Sequence, residues 1–188
     1  MNLLEYDFIL MAFSGGKDST ASFLHLLDLG ADRAKIELHH HNVDGRAING
    51  ASSALMDWPS TPAYCKAFGR AFGVPIYFSW REGGFEREML RNNTPTAPIC
   101  WEAPDGSIGT TGGSGPLGTR LKFPQVSGNL AVRWCSPALK IDVGAAAIRN
   151  QARFLGKKTL VASGERAEES PNRARYLAFE PIGVGTRV

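Results

Sequence analysis

Six consecutive residues, Ser14-Gly15-Gly16-Lys17-Asp18-Ser19, carry the groups needed to hold a phosphate. Two glycines let the backbone turn tightly and approach a ligand with no side chain in the way. Lys17 brings a positive charge, and Ser14 and Ser19 bring hydroxyls. The apolar run 8–13 precedes them. A helical pattern over 20–29 follows, with Phe23, Leu24, Leu26 and Leu27 on one face and Gly30 as a stop. Strand, glycine turn and helix make a socket in which backbone N–H groups and the positive end of the helix dipole face an anion. The spacing is not that of a Walker A loop, which needs four residues between its first glycine and its Gly-Lys-Ser/Thr.

The elements around this socket alternate between strand and helix. An apolar run such as 8–13 suits a strand buried on both faces of a parallel sheet. Residues 35–41 read as a second strand ending at Asn42-Val43-Asp44-Gly45. A helix follows from about Ser53 and another over 61–72, with Pro62 in its first turn. Residues 76–80 read as a third strand, 82–91 as a short helix, 142–154 as a helix with an apolar stripe, and 159–163 as a fourth buried strand. The pattern predicts one α/β domain over 1–188, a Rossmann-like parallel sheet flanked by helices in three layers. In such a sheet a ligand sits beyond the carboxyl ends of the strands. Three polar clusters fall there: 14–19, Asp44-Gly45, and 164–175. Residues 92–130 break the pattern with a Gly/Ser/Thr-rich stretch at 106–118. A mobile lid is the preferred reading and an inert flexible insertion the alternative.

Bulk properties narrow the class. The chain has 188 residues, 43% hydrophobic and 21% charged, ordinary for one soluble globular domain. A net charge of +3 suits a small anionic ligand, and without a dense Lys/Arg block nucleic acid is not indicated. No apolar run approaches the length of a membrane span. Glu5 and Asp7 ahead of the first apolar run are unlike the basic start of a signal peptide. Three cysteines, an odd number, point to a reducing, cytoplasmic setting.

The string SGGKDS resembles the PP-loop of the adenine nucleotide alpha-hydrolase superfamily, whose pattern is SGGxDS, and the flanking strand and helix agree with it. That superfamily includes ATP pyrophosphatases, tRNA-thiolating enzymes and phosphoadenosine phosphosulfate (PAPS) reductases. Two further stretches are similar to the PAPS reductase branch. Gly164-Glu165-Arg166-Ala167-Glu168-Glu169-Ser170 with Arg173 matches G-x-R-x-x-[ED]-S-x-x-R, and Arg133-Trp134-Cys135 with Leu139-Lys140 matches R-x-C-x-x-x-L-K. The resemblance covers most of the chain and implies a HUP-type, five-stranded parallel sheet. It implies that Ser14, Gly15, Gly16, Lys17, Asp18, Ser19, Asp44, Gly164, Arg166, Ser170 and Arg173 hold the nucleotide and its phosphates. Lys17, Asp18 and Arg166 would carry the catalytic charges, and Arg133 and Lys140 would meet the substrate's anionic group from the far side. Arg166 and Arg173 suit bidentate anion contacts. A solvated loop with internal Arg–Glu pairs is the bland alternative. The implied nucleotide is ATP or PAPS, with Mg²⁺ on the phosphates of ATP. Homodimers are common in the family.

Other residues limit the reaction. Four thiolates are needed for an iron–sulfur cluster, and the chain has only Cys65, Cys100 and Cys135, with no Cys-x-x-Cys. Cluster-bearing reductases place a Cys-Cys pair where Cys135 is followed by Ser136, so no iron–sulfur cluster is expected and each cysteine defaults to burial. His39 and His41 share one strand face and His40 the other. Two imidazoles fall short of a zinc site, so the triplet reads as strand-end polar residues near the ligand and no metal ligands are assigned. Trp58, Tyr64, Trp80 and Trp101 read as core aromatics, with one stacking on a base as the alternative. A PP-loop holds phosphate without a covalent nucleophile, so catalysis would be positioning and charge neutralisation. The first expectation is an ATP pyrophosphatase-type enzyme that adenylylates, or delivers sulfur to, an unidentified acceptor. The second is a PAPS or APS reductase whose nucleophilic Cys lies in a tail beyond the Gly-rich ending, which reads as truncated. The third is a non-catalytic nucleotide sensor.

Overall fold

The computed structural model describes residues 2–46, 54–127, 129, 132–166, 168, 173–175 and 177. Six strands form one sheet: β1 (Phe8–Ala12), β2 (Ile36–Asn42), β3 (Ile76–Arg81), β4 (Ile99–Glu102), β5 (Ile108–Thr111) and β6 (Thr159–Ser163). Their order is β5-β4-β3-β2-β1-β6. β6, β1, β2 and β3 are parallel neighbours, whereas β4 runs antiparallel to β3 and β5 antiparallel to β4. The chain is therefore α/β, with a mostly parallel sheet flanked by helices.

Strand alternation divides the side chains between two faces. On one face α1 (Lys17–Asp28) and α2 (Thr61–Phe72) bring Phe23, Leu26, Cys65 and Phe68 onto Ile9, Met11, Leu38 and Phe78. Phe23 meets Phe68 and Phe72 edge-on at 5.3 and 5.1 Å. Each buried aromatic of this kind contributes roughly 1.5–3 kcal/mol through burial. On the other face α4 (Asp142–Arg149) packs Val143, Ala146 and Ala147 against Ile99 and Trp101. The short α3 (Gly84–Met89) sits just after β3, where Phe85 stacks on Trp134 at 5.2 Å. Among the described residues no helix is long and apolar enough to cross a membrane.

Four expectations are corrected. The five-stranded parallel sheet becomes a six-stranded mixed one because 92–130 is not patternless. Its β4 and β5 form a hairpin that continues the sheet, pairing Cys100 with Thr110 and Trp101 with Gly109. The indole of Trp101 occupies the space where a Cβ on Gly109 would lie, so the glycine that reads as loop is a packing requirement. A further side chain of that segment is also held. Arg120 donates to the buried Glu88 carboxylate at 2.7 and 3.1 Å and lies 4.4 Å over the Trp134 ring. Secondly, β6 is an edge strand, with Val161 39% exposed, and not a fully buried one. Thirdly, 54–60 forms bends and a turn instead of helix, and Ser53 lies outside the described residues. Fourthly, the helix expected over 142–154 is divided. A π-helical turn, Pro137–Ile141, leads into α4, and a 3-10 turn, Ala152–Phe154, follows it.

Arg81 ties these additions to the core sheet. It is 6% exposed, and its Nε donates to the Ala138 carbonyl at 2.9 Å while Nη1 donates to the Ala97 carbonyl at 2.7 Å. Replacing it with Met keeps the apolar stem and leaves both carbonyls without this donor. Arg81→Met should lower unfolding free energy by about 2–4 kcal/mol in urea titrations. A loss below about 1 kcal/mol would mean that the two carbonyls find other donors.

Candidate anion-binding site

β1 is the pivot of the sheet. The chain leaves it toward β2 on one side and is flanked by β6 on the other, so the connection direction reverses between β1 and β6. A parallel sheet opens a crevice at such a point, beyond the carboxyl ends of its strands. The register pairs Ala12 with Ser163, so Ser14 and Gly164 emerge from the two strands side by side. The loop 14–19 and the start of 164–175 are therefore brought together.

Within the loop, Gly15 takes φ +81°, a conformation that favours glycine. A Cβ there would stand 3.1 Å from Cys65 Sγ and 3.2 Å from Tyr64 Cδ1, which shows how closely the loop rests on α2. Ser19 donates its hydroxyl to the Gly16 carbonyl at 2.9 Å and lies 3.2 Å from Ser14 Oγ. Ser14 Oγ accepts the Gly16 N–H at 3.3 Å. Once Ser19 is committed to Gly16, the Ser14 proton can turn outward to a ligand. α1 starts at Lys17 with Gly16 as its N-cap, and glycine has no side chain with which to cap the first-turn amides. Those amides and the helix dipole make this end attractive to an anion.

Gly164 closes the crevice from the β6 side. A Cβ on it would fall 2.7 Å from the Asp18 carbonyl carbon and oxygen and 2.8 Å from Ser19 N. Two residues on, Arg166 Nε lies 3.1 Å from Asp18 Oδ2, with both side chains partly exposed. An ion pair in that setting adds little stability. It does place a guanidinium beside the loop in which Lys17 is exposed. The other predicted residues are distributed differently. Ser170 lies outside the described residues, and Arg173 opens a 3-10 turn, Arg173–Arg175. Lys140 is exposed on the π-helical turn, close enough to His40 and His41 for its charge to disfavour their protonation. Arg133 is half-buried, and its Nε is buried without a hydrogen-bond partner.

Asp44 does not present its carboxylate to the crevice. The group is buried and accepts N–H bonds from Met56 at 3.0 and 3.2 Å and from Asp57 at 2.9 Å, which organises the 54–60 turn. Asp57 in turn accepts from Trp58 N and Thr61 Oγ1, both at 2.8 Å, and so steadies the start of α2. Asp57 is not among the residues expected from the sequence, because its role is set by the turn and not by the N-cap position, which Ser60 occupies. Cys65 lies directly behind the loop, and burial followed by the Asp57 charge pushes its thiol up to about 11, so it is no thiolate nucleophile. Among the described residues no group of three or more His, Cys, Asp or Glu side chains is arranged to hold a metal ion.

The histidine triplet splits as alternation requires. His39 lies 3.2 Å from Glu37 Oε2, a carboxylate that also pairs with Arg153. His41 bonds Ser79 Oγ at 2.8 Å and lies against Gly144 of α4. His40 turns to the opposite face, toward α2. No family model, curated protein or solved structure matches the chain.

Burial, reinforced by the Lys140 charge, holds His41 down to about 3, far below its ordinary 6.5. The unfolded chain therefore takes up this proton first as the medium is acidified. The stability that comes from keeping the ring neutral is complete above about pH 6.5 and declines as pH falls toward 3. His40, lowered chiefly by burial, acts in the same direction. Denaturant titrations from pH 7 to about pH 5 should show a slope of up to about 1.4 kcal/mol per pH unit for each histidine. His41→Asn should remove one such contribution, and an unchanged slope would mean that His41 is free to protonate in the folded protein.

Proposed function

We propose that the chain binds an adenine nucleotide as a PAPS reductase-like, HUP-type member of the PP-loop superfamily and cleaves ATP at its α-phosphate. The observation that carries this reading is the meeting of Ser14–Ser19 with Gly164 and Arg166 at the reversal point between β1 and β6. Glycines that let a ligand approach, a helix start without a side-chain cap, Lys17 within the loop and Arg166 beside it suit a polyphosphate.

In this reading the β- and γ-phosphates rest on the amides of residues 15–19. Lys17 neutralises their charge, and the Ser14 hydroxyl donates to a phosphate oxygen. Arg166 leaves or shares its pairing with Asp18 to meet the phosphate, a better partner than one partly exposed carboxylate. An acceptor oxygen attacks the α-phosphorus and the α–β bond breaks, so the acceptor keeps AMP and pyrophosphate leaves with the bridging electrons. The chain's residues hold the reactants in line and stabilise charge as it builds on the leaving group. Mg²⁺ fits here as a companion of the nucleotide, because Asp18 places a carboxylate at the loop and Mg²⁺ is commonly carried by substrate phosphates. Lys140, exposed on the turn leading to α4, and Arg133 ahead of that turn would meet the anionic group of an acceptor.

Calorimetric titration of ATP, PAPS and APS, each with and without Mg²⁺, tests the site, and pyrophosphate release from ATP tests the reaction. ATP should bind and release pyrophosphate once an acceptor is supplied. Sulfite formation from PAPS with a thioredoxin donor would instead make the chain a reductase, and binding without turnover would make it a sensor. Gly15→Val, which puts a branched side chain into the left-handed region against Cys65 and Tyr64, should abolish binding with the fold retained. Lys17→Ala should weaken ATP about 10- to 100-fold, the loss of one charge-assisted contact. Unchanged affinity in Gly15→Val would remove the loop from the site.

A further inference from the structure

His40 has one satisfied nitrogen and one that faces an unusual partner. Its residue is 2% exposed at the carboxyl end of β2. Nδ1 lies 2.9 Å from the carbonyl oxygen of Phe13, the residue immediately before Ser14. A carbonyl only accepts, so Nδ1 carries the proton and Nε2 of the neutral ring is a bare lone pair. That Nε2 is buried without a hydrogen-bond partner and stands 3.9 Å from Asp57 Oδ2, which is another acceptor. Two acceptors facing each other inside a protein form a gap of one proton. Both nitrogens of His40 face oxygens, an arrangement that suits an imidazolium better than an imidazole.

The two ends of this arrangement belong to the proposed phosphate site. Phe13 O is the root of the loop. Asp57 is the hub of the 54–60 turn, receiving Trp58 N and Thr61 Oγ1 and donating its own N–H to Asp44. Tyr64 and Cys65, one turn into α2, are the side chains on which Gly15 rests.

We propose that His40 is a proton-gated positioning residue: when it carries a proton on each ring nitrogen it bridges the Phe13 carbonyl and the Asp57 carboxylate and draws the start of α2 onto the Ser14–Ser19 loop. In the free protein the groups around the ring oppose that proton. Burial, Lys140 from the π-helical turn and Arg46 from the end of β2 disfavour it, while the Phe13 carbonyl and Asp57 favour it. The neighbouring His41 adds a further penalty if charged. The Cys65 thiol, 3.6 Å from Nδ1, stays neutral and adds no charge. Phe78 covers the ring at 5.2 Å. A polyphosphate seated on the loop supplies the missing negative charge, so binding and proton uptake favour each other. The gating rests on the phosphate reading of the loop; the bridge itself does not.

The test uses the full chain with isotope-labelled histidine, followed by NMR between about pH 5 and pH 8, free and with inorganic pyrophosphate. In the free protein one imidazole should show the Nδ1–H tautomer, and Asp57→Asn should lower its titration midpoint by about one pH unit or more. Pyrophosphate should raise that midpoint in wild type. His40→Gln keeps a donor for Phe13 O and cannot take up a proton. Its pyrophosphate affinity should therefore lack the acid-side gain, about tenfold per pH unit of midpoint shift, that wild type shows over Asp57→Asn. An Nε2–H tautomer, a midpoint indifferent to Asp57→Asn, or pyrophosphate binding that leaves the midpoint in place would each overturn the proposal. Failure of pyrophosphate to bind wild type would overturn the loop reading and the gating with it, while the ligand-free titration would still decide the bridge. Heteronuclear spectra of both variants establish that each is folded.

Discussion

A single close approach governs the geometry of this molecule. The strand register that pairs Ala12 with Ser163 sets Gly164 against the first turn of α1, where a Cβ would fall 2.7 Å from the Asp18 carbonyl. Any side chain at that position would separate the end of β6 from the helix and open the crevice between them. The loop has the same kind of dependence on its other side, because Gly15 rests on Tyr64 and Cys65 of α2. The loop is thus walled by elements distant in sequence, which two glycines allow to approach closely.

Beneath that rim the polar residues are used inward. Asp44 collects the amides of Met56 and Asp57, Arg81 serves the carbonyls of Ala97 and Ala138, and Glu88 receives Arg120. Each pairing satisfies a buried group that would otherwise carry a desolvation penalty, and each fixes a loop to the sheet. Lys17 and the Asp18–Arg166 pair differ in being more exposed to solvent. The division between inward and outward polar residues follows burial, not residue type.

The hairpin β4–β5 extends this logic. Ile99 pairs with Arg81 on one side and Thr111 on the other, so the hairpin begins and returns at the carboxyl end of β3. Segments 92–98 and 112–118 therefore lie along the same edge of the sheet as the loop. Such an addition can shape what reaches the rim without disturbing the strands that build it, because it attaches at the sheet's far edge, three strands from β1.

Local patterns determined much of this from the chain alone. The apolar run before SGGKDS, the glycine turn and the amphipathic helix after it specify strand, loop and helix through short-range sterics and periodicity, and α1 and α2 lie where the residues place them. Period-two alternation also put His40 on the face opposite His39 and His41. Other features depended on partners that no local window contains. Part of the Gly/Ser/Thr-rich stretch, Ile108–Thr111, is strand because it pairs with β4 and Gly109 leaves room for the Trp101 indole, and 159–163 is an edge because, among the described residues, β1 is its one strand partner. Asp44 turned from the crevice because two amides, 12 and 13 residues away, reach it first. The sequence states what each residue can donate, accept or fill; tertiary contact chooses among those options, since burial makes an unpaired polar group costly and leaves room for only one arrangement of side chains.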